Sequence, residues 1–386
     1  MASKDASSAF SSKLGRATVP LAISVVLVVV GVIAYIVQEV NGMGLTGMRT
    51  YASWGLGLVG FWFFEALSVG AMVLASGSVL VRSQRLAPMV PIMVWASLGC
   101  TCAAILSILT DLGGVLRAWE LVASANLSSP LTHDVLVLPL YLILSCVTLV
   151  LMRHGMGERF ERIWFAIMGA VAIAACFIGA WILSTLDREL WHSALLAPEY
   201  LVSSLMSGTG LVLLLAMALP KSVPGEDMSA TLPILGKLAA LFAAVFALML
   251  LADAAQGDAA SALVTGGVLS PLFWCCLAAT AVVCLAGAVP ALRTPPVLAF
   301  SAALAIIATF LDRLYVLVGG FQVNELGLVG SVTDNAFTYS GTGMGVAYQS
   351  LVYAPSLVEV GIFAGALGVA LLVTFVGSRM FAGSQR

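Results

Sequence analysis

Ten runs of about twenty predominantly apolar residues recur along this 386-residue chain, and a helix of that length is what crosses a bilayer core roughly 30 Å thick. They lie at 19–38, 54–80, 89–110, 133–152, 163–185, 199–219, 232–252, 270–290, 295–318 and 354–377. Hydrocarbon offers no partner to a backbone amide, so a spanning segment must satisfy its own. The runs therefore predict an all-α polytopic membrane protein. Composition agrees: 61% of residues are hydrophobic and 9% charged, against roughly 25% charged in soluble domains. Residues 1–18 read as an N-terminal tail, 19–377 as the transmembrane domain and 378–386 as a C-terminal tail. Pro290, Pro295 and Pro296, with Arg293 among them, favour a tight interfacial turn over one long helix across 270–318.

Basic residues set the orientation. With the N-terminus inside, Lys4, Lys13, Arg16, Arg82, Arg85, Arg153, Arg159, Arg162, Lys221, Lys237, Arg293, Arg379 and Arg386 fall on the cytoplasmic side, and Arg49, Arg117, Arg188 and Arg313 on the other. The positive-inside rule then places both termini in the cytoplasm. The first apolar run has no small-residue cleavage site after it and reads as a signal anchor.

Several chemistries have no support. A net charge of -2 without a basic patch argues against nucleic acid. Cys100, Cys102, Cys146, Cys176, Cys275, Cys276 and Cys284 all lie inside apolar runs without CxxC spacing, and read as small core residues. An iron–sulfur cluster is not expected in this chain. His133, His154 and His192 sit at or beyond run ends, so neither haem nor another metal is expected. Electrons handled here must come from something the chain binds.

The acids are placed differently. Asp111, Asp187, Asp253 and Asp312 each stand near the outer end of an outward-running span, where the negative end of the helix dipole disfavours them unless compensated. Arg117, Arg188 and Arg313 follow three of them closely. They read either as interfacial ion pairs or as a polar layer supporting redox or proton chemistry. Glu65 lies about 11 residues into the second run, roughly 16 Å deep, where a carboxylate is costly. It is either a hydrogen-bonded interhelical carboxyl or a proton relay. Beside it Gly57, Gly60, Ser68 and Gly70 allow close packing. Trp54, Phe61, Trp62, Phe63 and Phe64 read first as a lipid-facing belt and second as a pocket wall for a flat ring. The segment with Asp187, Arg188, Glu189, Trp191, His192, Glu199 and Tyr200 adds a histidine suited to proton exchange. The 319–353 loop is long enough for a docking surface or lid, and Glu359 opens the last span near the same layer.

DLGGVLRAWELVASANLSSPLTHDV at 111–135, WGLGLVGFWFFEALSVGA at 54–71, WHSALLAPEYLVSSLMSG at 191–208, DRLYVLVGGF at 312–321 and YAPSLVEVGIFAGALG at 353–368 together resemble the NrfD/PsrC family, in its ten-helix branch. Gly114 and Val115 depart from the Arg-Pro pair that often follows the DLG motif. The resemblance implies two four-helix bundles with flanking helices in the cytoplasmic membrane of a prokaryote. It further implies the quinone-reactive subunit of a respiratory oxidoreductase, not catalytic alone. Menaquinone or ubiquinone would be bound non-covalently. The expected partners are a ferredoxin-like iron–sulfur subunit and a molybdopterin or other redox catalytic subunit, with membrane lipid around the chain. On this reading Asp111, Arg117, Asp134, Trp191 and His192 contact quinone, and Glu65, Asp312, Arg313 and Glu359 relay protons.

Two other classes fit ten spans with buried acids. A secondary transporter would carry Gly/Pro-broken helices in matching halves, and no such pair stands out. The other is a purely structural membrane anchor of an extracytoplasmic enzyme, against which mid-membrane Glu65 weighs modestly.

Overall fold

The computed structural model describes residues 2–49, 52–186, 188–218, 228–256, 264, 269–322, 336–338, 347–349 and 353–384. Its long helices are α1 (Ala2–Asn41), α2 (Leu56–Leu80), α3 (Val90–Asp111), α4 (Pro130–His154), α5 (Glu158–Ser184), α6 (Leu196–Ala218), α7 (Met228–Gln256), α8 (Ser270–Ala288), α9 (Pro295–Gln322) and α10 (Leu357–Ser384). Each of the ten contains a stretch long and apolar enough to cross a membrane. Two three-residue strands, β1 (Ala336–Thr338) and β2 (Ala347–Gln349), pair antiparallel with Phe337 opposite Tyr348. Helical backbone continues into both expected tails. The 319–353 loop lies mostly outside the described residues, as does Asp187.

The predicted break after 290 is present: Pro290–Leu292 forms a single 3-10 turn between α8 and α9. Arg293 closes it by donating to the carbonyls of Gly287 and Ala288, each at 2.7 Å. α9 runs four residues beyond the expected span, to Gln322. Asp312 therefore sits well inside a helix rather than at its end.

α2 packs against α3, α5, α6, α9 and α10. α2, α3, α4 and α5 make one bundle and α6, α7, α8 and α9 a second, joined along α2 and α6, while α10 packs on α3 and α1 on α10. Apolar burial gives helices little net attraction in lipid, so close backbone approach has to supply it. Gly70 of α2 and Gly208 of α6 meet backbone to backbone, and so do Gly31 of α1 and Gly365 of α10. α1 otherwise faces outward with apolar side chains such as Ile23, Val26 and Ile33 exposed.

The aromatic belt expected on α2 is not there. Phe61, Trp62, Phe63 and Phe64 are all buried and Trp54 packs partly buried against the core, because α2 is surrounded on every side. Phe63 and Phe64 instead pack on Phe363 of α10, with ring centroids 5.8 and 5.3 Å away.

Ten crossings bring the start of α1 and the end of α10 to one end of the bundle. Asp111, Trp191 and Glu359 lie at the opposite, distal end.

Candidate functional site

The first turn of α2 has no cap of its own, since Gly55 stands at the N-cap position without a side chain. Its free amides are met by groups from elsewhere in the chain. Leu56 N–H donates to the Tyr353 hydroxyl oxygen at 2.6 Å and to Glu359 Oε1 at 3.4 Å. Tyr353 in turn donates to Glu359 Oε1 at 2.5 Å. Glu359 Oε2 accepts the amides of Gly47 at 2.6 Å and Ser356 at 2.9 Å. Burial, then the adjoining Glu359 carboxylate, pushes the Tyr353 phenol above its ordinary range, so it remains a donor.

Asp111 reaches the same turn from the end of α3, its carboxylate facing the backbone of Gly55 and Leu58. The positive end of the α2 dipole supplies the compensation that its own position on α3 requires. Arg117 does not supply it. That side chain is exposed and donates to Glu120 through Nε and Nη2, both at 2.9 Å.

Asp111, Glu359, Gly57, Ser107, Thr110, Gln38 and Phe363 line a small cavity of about 10 Å³, room for roughly one water. Gln38 is 2% exposed, on the same face of α1 as buried Ser24 and Gly31, and its amide donates to the Thr110 carbonyl at 2.7 Å. The cavity thus lies between the first bundle and the flanking pair α1 and α10.

A second set of buried polar groups runs through both bundles. Arg313, 1% exposed, is paired with Asp312 through Nη1. Its Nη2 donates to Ser203 Oγ at 2.9 Å and the Tyr200 carbonyl at 3.2 Å, and its guanidinium lies 3.5 Å from the Tyr200 ring centroid. Tyr200 meets Trp62 edge-on at 6.2 Å. Beyond Trp62, Glu65 lies within electrostatic reach of both Asp134 and Arg313. Trp62 Nε1, Glu65 Oε1, Asp134 Oδ1 and the Tyr200 hydroxyl have no hydrogen-bond partner among the described residues. Gly179 of α5 faces this group, and a Cβ there would lie 3.0 Å from Trp62 Nε1 and 3.1 Å from Glu65 Oε2. Unpaired buried polar atoms are rare and mark places where water or a ligand completes the bonding.

One turn from Glu65, Ser68 joins a closed hydroxyl cluster. It lies 2.7 Å from Thr101 Oγ1 and 2.9 Å from Ser97 Oγ, which is 2.7 Å from the Tyr141 hydroxyl. Among the described residues no group of three His, Cys, Asp or Glu is placed to hold a metal ion.

The sequence-predicted residues divide between these places. Asp111 and Glu359 share the distal cavity; Glu65, Asp134, Asp312 and Arg313 belong to the interior trail. Trp191 is buried, stacked on Trp54 at 6.1 Å and donating Nε1–H to the Val316 carbonyl at 2.8 Å. His192 is exposed, with Nδ1 3.4 Å from the Arg188 carbonyl. Arg117 and His192 therefore stand apart from both groups. Sequence reasoning missed Gln38 and Tyr353. Gln38 carried a signal, as a lone amide near the end of an apolar run; Tyr353 opens the YAPSLVEV stretch, but nothing local ties its hydroxyl to α2.

The profile of the polysulphide reductase family NrfD matches residues 44–324. The chain belongs to the NrfD family. It is 29% identical over 393 aligned positions, covering 93% of this chain and 90% of the relative, to a putative membrane subunit of dimethyl sulfoxide reductase from Halobacterium salinarum. A selenate reductase subunit from Mesobacillus selenatarsenatis is 23% identical over 59% of this chain and 62% of the relative. The integral membrane subunit of an Hdr-like menaquinol oxidoreductase from Archaeoglobus fulgidus is 26% identical over 47% of this chain and 46% of the relative. NrfD proteins are membrane subunits of oxidoreductase complexes, linking the quinone pool to redox partners, and are not catalytic alone.

Proposed function

We propose that this NrfD chain holds a quinone ring in the distal cavity beside Asp111 and Glu359, and exchanges its electrons with an iron–sulfur subunit docked at the distal end. The observation that carries the proposal is the meeting of Asp111 and Glu359 on the first turn of α2, in a cavity next to the flanking helices. The menaquinol oxidoreductase named among the relatives supports a quinone as the ligand.

The lining matches the chemistry of such a ring, and admitting it requires α1 and α10 to part from the first bundle. Phe363, Ile362 and Leu56 supply apolar walls, and Ser107, Thr110 and two carboxylates supply polar contacts at the edges. Bound there, the quinone supplies two-electron, two-proton redox chemistry. Asp111 and Glu359 accept or return the protons at the ring oxygens. The α2 amides and the Tyr353 hydroxyl hold the two carboxylates in place, so proton exchange needs no large rearrangement. Farther inside, Glu65, Asp134, Arg313 and Asp312 form a proton relay whose unpaired oxygens are bridged by water. The catalytic partner carries the terminal chemistry, and both termini of this chain face the cytoplasm.

Purification from native membranes in mild detergent, with mass spectrometry of co-eluting subunits and extraction of bound quinone, tests the assignment. A cluster-bearing partner and about one quinone per complex are expected. A lone chain without either, under conditions that keep other respiratory complexes intact, would instead support a transporter.

A further inference from the structure

At the distal end of the second bundle a separate small cavity of about 10 Å³ lies between α6, α7, α8 and α9, lined by Glu199, Asp253 and Tyr315 together with Leu190, Leu250 and Phe273. None of these groups has a part in the function proposed above. The polar wall is oxygen only. Tyr315 lines this space and is 6% exposed, and its hydroxyl has no hydrogen-bond partner among the described residues. Asp253 is tied on its other side to the hydroxyl of Ser193, which donates to Oδ1. Glu199, 3% exposed, lies at hydrogen-bonding range of the Asp312 carboxyl. Two carboxyls can form a hydrogen bond only when one of them carries a proton.

We infer that this cavity is a proton-loading site, distinct from the quinone cavity, in which Tyr315 and Asp253 hold a water against Glu199. The apolar wall excludes bulk solvent, and the polar atoms provide the two to four partners that a buried water needs. A hydronium O–H bond breaks as the Glu199 carboxyl O–H forms, leaving the water behind. The proton then lies in the contact between Glu199 and Asp312. The groups facing Glu199 are Asp312, Arg313 and Tyr315 on α9, Asp253 on α7, Cys276 on α8 and Tyr200 on its own helix. Arg313 is the cation among them, so the site holds its carboxyls around one fixed positive charge. The inference rests on the proposed function only for the use made of the proton, because Asp312 and Arg313 lead from here toward Tyr200 and Glu65.

Dicyclohexylcarbodiimide tests it in the purified complex. The reagent adds to a protonated carboxyl in an apolar pocket and remains attached as an N-acylurea, so the modified peptide is read by mass spectrometry. Glu199 is expected to carry the label, less of it at higher pH, with no protection by excess sodium. Tyr315→Phe should shift the pH midpoint of labelling, and Asp253→Asn reads the same site if that variant fails to assemble. Asp111→Asn, which disables the quinone cavity, should leave the labelling unchanged, so loss of quinone chemistry and loss of this site are read separately. An unlabelled Glu199 in a sample whose other buried carboxyls react would overturn the inference. So would protection by sodium, which would make this a sodium site, or a labelling curve that neither cavity variant moves.

Discussion

Gly57 in the first turn of α2 and Asp111 at the end of α3 lie in direct contact: a Cβ at position 57 would be 2.8 Å from both Cβ and Cγ of the aspartate. The missing side chain lets the carboxylate sit over the positive end of α2, where it also lines the distal cavity.

Gly57→Ala should therefore displace Asp111 or the turn it caps. Overpacking of this kind costs about 1–3 kcal/mol. The thermal midpoint of the purified complex is expected to fall, and quinol-linked turnover to fall further than Ser107→Ala lowers it. Unchanged turnover with a normal midpoint would show that the contact has slack.

Tyr353→Phe removes the hydroxyl that accepts the Leu56 amide and donates to Glu359. Leaving buried partners unpaired costs about 1–3 kcal/mol. Because the phenol stays protonated across the working range, the variant should lower turnover by a similar factor at every pH from mildly acidic to mildly basic. A loss confined to the alkaline side would mean that the phenol titrates there.

Arg313 and Asp312 make a pair that is almost wholly inaccessible. Removing one partner strands a buried charge and costs about 3–5 kcal/mol. Arg313→Met should assemble poorly, whereas Arg313→Met combined with Asp312→Asn should recover part of the midpoint, since neighbouring substitutions are not additive. A double variant as unstable as the sum of the two singles would remove the pair as the cause.

Gly208→Leu places a large side chain where α6 meets the backbone of α2 at Gly70. The bundles should separate locally, lowering the yield of assembled complex by an amount that Gly77→Leu, where no atom lies within 4 Å of a built Cβ, does not produce. Equal yields would place the joint between the bundles elsewhere.

How much of this is legible in the sequence depends on the kind of signal. Ten spans, the proline turn after Val289 and mid-membrane Glu65 follow from run length and from the cost of charge in hydrocarbon, which are properties of one segment at a time. Which acid meets which group is a property of packing. Asp111 shows a need for compensation, but its nearest basic neighbour in sequence, Arg117, turns to Glu120, and the α2 terminus takes its place. The aromatics of α2 suit a lipid-facing belt equally well by composition; only the encirclement of α2 by five helices buries them. Asp312 reads as a helix-end residue because hydropathy fades before the helix does. The juxtaposition of Asp111 with Glu359 joins positions 248 residues apart in the sequence, and no local pattern announces it.

The most direct test of the quinone assignment is a photoreactive azidoquinone cross-linked to the complex in native membranes, with the labelled peptides identified by mass spectrometry. Labels are expected on the end of α3 around Ser107–Asp111 or on the start of α10 around Glu359–Phe363, and should disappear in Asp111→Asn or with excess unmodified quinone. Specific, competable labelling confined to the second bundle, with none at these two helix ends, would contradict the assignment.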